Sequence, residues 1–446
     1  MAVHAVSNRP APGVVTAARR GLGRVPGVTG TPRTLWLLLV GLVLLSLVWG
    51  AVAVWVVSQR ASGASDVVGV SEPLSVDGQQ IYRALSDADA TEATAFLAGG
   101  LEPLAARQRY LADIAQASRH LEAATAAAGH SPAARNLATL SAGLPVYAGE
   151  VETARADNRL GYPLGAAYLR DASSLMRGTL LPAARNVSAE ANSQVSAASG
   201  EATGLPLALI LLVVAAVVGY ALFRAQRWLY RHNHRVFNPG LVVASVAALV
   251  SVLWLVIALG VARANLLQAR DHGSAPVAAL ARADTAALRA RADESLTLID
   301  AGGDDSFQAD FLTVQHDLGP GPGTLLTGAI TAARGSPGAG AAAAAATTAT
   351  GWYAAHRTVR FLDDNGKHIQ AVHLVTTPGS DHSGTLFTRL DDSLTHAISA
   401  DQAVFQANAV AGRNAFTGLE VGVIVLALIM AAGCARGLSK RLAEYR

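Results

Sequence analysis

The chain of 446 residues has one cysteine, Cys434, and two lysines, Lys367 and Lys440. A lone cysteine excludes an intrachain disulfide and any multi-cysteine metal site, so folded parts must be held by packing alone. With lysine so scarce, the 35 basic residues are nearly all arginine. That bias, with the high alanine and glycine content, reflects a GC-rich genome and says nothing of chemistry. Catalytic signatures are missing as well. "GPGPG" from Gly319 follows no strand and precedes no Lys-Ser/Thr, so it is no phosphate loop. His232 and His234 stand among four arginines that would repel a cation. "FLDDNGKH" lacks the later acidic ligands of a calcium loop. The reading is no enzyme, no cofactor, no metal and no nucleic-acid partner.

What the chain has is four long apolar runs, Leu35–Val57, Leu205–Phe223, Leu241–Val261 and Leu419–Cys434. About 20 helical residues cross the ~30 Å hydrocarbon core of a bilayer. None of the runs has a charge in its middle, where one costs about 3 kcal/mol. The segments before the first run, between the second and third, and after the fourth hold 13 basic residues and one acid, Glu444. The rest of the chain holds 22 basic and 31 acidic residues. The positive-inside rule puts these three basic pieces in the cytoplasm and both long connections outside. The first run starts too late for a cleaved signal peptide and reads as a signal anchor. The expected division is a basic tail (1–34), span 1 (35–57), a first outer domain (58–203), span 2 (204–223), an inner hairpin (224–240), span 3 (241–262), a second outer domain (263–416), span 4 (417–435) and a stub (436–446).

Both outer domains read as helical. Ile81, Leu85, Ala88 and Phe96 recur at helical spacing, and Gly99–Gly100 ends that helix. Leu104, Leu111, Ile114, Ala115, Ser118 and Leu121 suggest the inner face of a second helix, which Gly129 stops. Leu137, Leu140, Leu144, Tyr147 and Val151 mark a third, and "DNRLGYP" turns into a fourth. Four helices with short turns predict an up-down-up-down bundle whose end helices extend the spans. The second domain repeats the scheme. "WYAAHRTVRFLDDNGKHIQAVHL" resembles "VYAGEVETARADNRLGYPLGAAYL" at like distance from its span, so the fold class is all-α with a tandem duplicated span–bundle–span unit.

The densest polar cluster of the first domain contains Asp157, Asn158, Arg159 and Arg170. Arginine grips a carboxylate bidentately, so this cluster is the candidate outer ligand or partner site; a solvated turn is the other reading. Inside, Arg227, Arg231 and Arg235 of the hairpin, with Leu438, Arg441, Leu442 and Tyr445 of the stub, form the candidate docking surface. Membrane lipid headgroups are the competing partner for these arginines.

At "GQQIYRALSDADATEATAFLAGG" (78–100), "ADNRLGYPLGAAYLRDASSLM" (156–176), "RADESLTLI" (291–299) and "GLSKRLAEYR" (437–446), the chain resembles four-span actinobacterial membrane proteins of the GlnX type. The resemblance implies two partners: an extracytoplasmic amino-acid-binding lipoprotein, and a cytosolic serine/threonine kinase of the PknG type. It implies a transducer between them, and it assigns no residues. A second copy of the chain is a further partner this reading admits. A transport or mechanotransmission subunit working with an ATPase, and a structural envelope protein, stay open beside it.

Overall fold

A computed structural model describes residues 31–66, 72–129, 131–203, 205–233, 238–300, 305–319 and 321–443. Arg235, Tyr445, the side chain of Arg441 and nearly all of the basic tail lie outside the described residues. The described residues are helical with no strand. The protein is an all-α membrane protein with four helices long and apolar enough to cross a bilayer.

Those four contain the apolar runs. They are α1 (Thr31–Asp66), α7 (Leu205–Asn233), α8 (Pro239–Ala269) and α15 (Leu419–Ala443). Their outward sides expose Trp36, Leu212, Leu249, Val256 and Leu428. So much contiguous apolar surface suits hydrocarbon and not water. Their inward sides pack Leu42, Trp49, Leu222, Leu255 and Met430 into one core. Trp49 Nε1 donates to Ser251 Oγ at 3.1 Å across that core. A tryptophan N–H without a partner would be costly there.

Between α1 and α7 stand α2 (Glu72–Leu97), α3 (Leu104–Ala128), α4 (Ala133–Arg159), α5 (Leu164–Leu175) and α6 (Leu181–Thr203). A π-helical turn, Met176–Leu180, joins α5 to α6. The predicted breaks fall where glycine permits positive φ, at Gly99 (65°) and Gly161 (73°). Ile81, Leu85, Leu137, Leu140, Tyr147 and Met176 fill the core. The α3 face differs from expectation. Leu104 and Leu111 are 72% and 47% exposed, while Tyr110, Asp113, Ala117, Leu121 and Ala124 point inward. Leucines suggested the stripe, but the neighbouring α2 lies close enough to need alanines and brings charges for Asp113 to face.

The second unit runs α9 (Ala275–Asp300), α10 (Ser306–Leu318), α11 (Leu325–Ala332), α12 (Ala339–Asp364), α13 (His368–Thr376) and α14 (Ser383–Asn414). The alanine-rich α12 starts where Asp401 of α14 accepts from Gly338 N at 2.8 Å. A carboxylate there satisfies an otherwise orphan helix N–H. The helix α8 continues into α9 through a second π turn, Arg270–Ser274, and α14 meets α15 at a turn closed by Gly418. Residues 239–300 thus form one apolar-to-polar rod, whereas α14 and α15 are two helices joined at the Gly418 turn.

The two units are not separate bundles. Arg83 bonds Asp284 and Thr94 bonds Ser295, both 201 residues apart, so α2 and α9 run parallel and in register. Near their far ends Ala93, Ala154, Leu169 and Leu296 share one apolar cluster, and Leu97 joins Leu298, Val359 and Val375 in another.

At the opposite end, α7 stays helical through Arg224, Arg227 and Arg231 to Asn233, further than the expected hairpin boundary. Asn238 caps α8 by accepting from Gly240 N, and its amide donates to Gly437 O at 2.8 Å. A Cβ on Gly240 would lie 2.5 Å from Gly433 O and Gly437 Cα. Gly240→Leu is expected to pry α8 from α15 and cost about 1–3 kcal/mol. Thermal unfolding in detergent, compared with Gly219→Leu, whose Cβ meets open space, checks this.

Candidate functional site

A line of buried charge runs along the junction of the two units. Its first part centres on Arg83 of α2. Arg83 Nε donates to Asp284 Oδ2 of α9 at 2.8 Å. Its Nη2 donates to Asp391 Oδ1 at 2.7 Å and to Thr395 Oγ1 at 2.6 Å, both on α14. Arg109 of α3 donates to both oxygens of Asp87, at 2.9 and 3.1 Å, and to Asp391 Oδ2 at 3.0 Å. Asp113, one turn along α3, is buried beside them and its Oδ2 has no hydrogen-bond partner.

Further from the spans, Arg177 in the first π turn pairs with Asp293 of α9 and lies 3.7 Å from Asp89 of α2. Ser173 Oγ also donates to Asp89, at 3.0 Å. A π turn carries one more residue than an α turn, which aims Arg177 at the partner helix. Beyond it, Arg170 of α5 pairs with Asp300 at the end of α9.

Two satellite clusters stay within one unit. Arg155 of α4 pairs with Glu92 and Glu152. In the second unit, buried Glu294 accepts from Ser383 Oγ at 2.6 Å, His356 Nδ1 at 3.0 Å and Arg291 Nη1 at 2.5 Å. The His356 ring stacks on Phe311 with centroids 3.5 Å apart. Ser383 donates to Glu294 and not to His356, so the trio is not arranged as nucleophile and base.

Burial sets the protonation of these groups. It pushes Asp113 up to about 7, and the nearby Asp87 charge adds to it. It raises Asp284 to about 7 and Asp293 to about 6, against the opposing pull of Arg83 and Arg177. Glu92 rises to about 8, through burial and then the charges of Glu102 and Glu152. Glu294 goes the other way. Burial alone would raise it, but its bonds from His356, Arg291 and Ser383 bring it to about 2.

The outer residues singled out from sequence make separate contacts. Asn158 donates to Phe96 O at 3.0 Å, tying the end of α4 to that of α2. Arg170 braces α9. Arg159 is exposed and Asp157 half-buried on the turn between them. On the hairpin side, Arg227 and Arg231 are exposed on one face of α7. Leu438 offers no outward apolar edge: it is buried in the span core, and Leu442 packs against that core. A leucine at this spacing serves the α15–α8 contact first.

The turns and helix ends farthest from the spans carry exposed apolar side chains. These are Leu101, Leu160, Tyr162 and Leu164 of the first unit, and Phe361 and Ile369 of the second. A shallow groove beside Ile369 is lined by Leu362, Gln370, His373 and Leu374.

Sequence reasoning missed Arg83, Arg109, Arg177, Asp284, Asp293 and Asp391. Arg83 and Asp87 fall on the side of α2 away from the Ile81, Leu85 and Ala88 stripe, where a solvated charge is the ordinary expectation. No curated protein and no solved structure matches the chain. Residues 63–200, from the end of α1 into the last turns of α6, match the actinobacterial sensor domain.

Proposed function

We propose that the protein is a non-catalytic transmembrane signal transducer. The bundles face the outside and both ends of the chain the cytoplasm. The far tip reads the amino-acid status of the medium through a solute-binding lipoprotein, and the hairpin side informs a cytosolic serine/threonine kinase. The sensor-domain match supports the sensing role. One observation carries the relay: the rod 239–300 has Asp284 and Asp293 of the charge seam at one end and the Asn238–Gly437 contact at the other. Packed helices hold discrete arrangements, so a shift of 1–2 Å, a typical order for interface helices, would travel along such a rod. The like order of helices in the two units supports a duplicated span–bundle–span unit. Apolar Leu160, Tyr162 and Ile369 at the tip suit a protein partner, and Arg159 would add charge at its rim.

Inside, exposed Arg224, Arg227 and Arg231 form a basic stripe three and four residues apart. Arg227→Ala with Arg231→Ala is expected to weaken capture of the kinase about tenfold at low salt and less at high salt. The measurement is a pull-down from detergent-solubilised membranes with partner identification. Equal capture by both proteins, or capture of an ATPase in place of a kinase, counts against the reading.

A further inference from the structure

We propose that the cluster around Asp113 is a proton-binding site that ties the grip between the two units to the pH of the medium on the bundle side. Two guanidinium groups, Arg83 and Arg109, face four carboxylates there: Asp87, Asp113, Asp284 and Asp391. Three of the four accept hydrogen bonds from an arginine. Asp113 does not, and its Oδ2 is buried without a partner. Fully ionised, the cluster would hold two uncompensated negative charges where little water reaches. The carboxylates themselves are largely enclosed, so excess negative charge there is costly and a bound proton relieves it. Among the described residues no grouping of side chains is suited to a metal ion. A proton on Asp113 removes one negative charge and turns an orphan acceptor into a donor beside Asp87 and Asp391.

The groups around Asp113 come from four elements. Arg83 and Asp87 face it from α2, Arg109 from its own α3 and Asp391 from α14; the Tyr147 hydroxyl of α4 is near enough to feel its charge. Asp284 of α9 joins through Arg83. Both Asp113 and Asp284 are raised from an ordinary 3.8 to about 7. The sign follows from that direction. The folded state holds these protons more tightly than the unfolded chain does. The stability they lend is full below about 4 and is lost as pH rises through about 7. Acidification tightens the junction and alkalinisation loosens it. Asp284 and Asp391 lie on α9 and α14, the two helices that lead into α8 and α15, so the proton acts where the units meet the spans.

The proposal stands apart from the partners named above, because its test involves neither. Full-length protein in nanodiscs is titrated between about pH 5 and 8.5 while infrared spectra follow the protonated-carboxyl band. Spin labels at Arg119→Cys and Arg389→Cys, in a Cys434→Ser background, report the distance across the junction. In the wild type a carboxyl band is expected to disappear with a midpoint near 7, and the distance distribution to broaden over the same range. Asp113→Asn, which keeps shape, should remove that band component and hold the distance at its acid value. Asp284→Asn should move the midpoint of what remains, and Glu122→Gln on the exposed face of α3 should change nothing. A wild type whose carboxyls all titrate below about pH 5 overturns the proposal without recourse to any variant. So does a near-neutral band that Asp113→Asn leaves undiminished, or a distance independent of pH.

Discussion

Arg83→Met is expected to cost about 3–5 kcal/mol, the largest loss of any single change at the junction. The substitution leaves Asp284 and Asp391 buried with a lost partner each, and Thr395 without its donor. The side chain is mostly enclosed, so solvent offers little screening. The loss should grow with pH. At mildly acidic pH Asp284 can keep its proton and avoid the unpaired charge; at alkaline pH it cannot. Arg83→Met with Asp284→Asn should recover part of the loss, since removing both members of a buried pair is far milder than removing one. Thermal unfolding of the four proteins of this cycle in nanodiscs, at two pH values, measures it. A cost under about 1 kcal/mol at high pH would mean that water already reaches the pair.

Glu294→Ala is the second large effect, again about 3–5 kcal/mol. It leaves the Arg291 guanidinium buried with Val375 O as its remaining hydrogen-bonded partner, and strips Ser383 and His356 of their acceptor. Its pH signature is opposite to that of the junction. The Glu294 carboxyl is lowered from 4.5 to about 2, so its contribution is full above about 4.5 and is lost as pH falls through about 2. The wild type should therefore lose stability along that acid limb, and the variant should lack this part of the slope. Denaturant unfolding across the range tests it. An unchanged acid limb in the variant would place the titrating group elsewhere.

The two effects separate what the sequence made visible from what it did not. The spans were legible because about twenty apolar residues in a row have one physical explanation, repeated four times. Most turns were legible too, since Gly99, Gly129 and Gly161 punctuate a helix by backbone geometry alone. The junction was not. Asp87 and Asp89 look like solvated helix charges until Arg109 and Arg177, from other helices, are seen to meet them. Arg170 stood out in sequence, but its partner Asp300 is 130 residues away and no local rule joins them. The face of α3 was misjudged for a related reason. Its leucines drew the eye, while the buried stripe is built of Tyr110, Asp113 and alanines. The π turns left no local trace, because an extra residue per turn is set by packing. Leu438 and Leu442 show the limit of a spacing argument: the spacing was read correctly as one face, and that face is covered by the chain's own spans.

On the proposed relay, the charge seam and the hairpin side are two ends of one rigid linkage. Distance between spin labels at Arg224→Cys on α7 and Lys440→Cys on α15, both exposed beyond the apolar runs, tests it most directly. The comparison is between wild type and Arg83→Met in nanodiscs, at a temperature where both remain folded. The expected result is a shift of about 1–2 Å in the mean distance, following the change at the seam. An unchanged distribution on the hairpin side, while labels at Arg119→Cys and Arg389→Cys show the junction loosened, would contradict it.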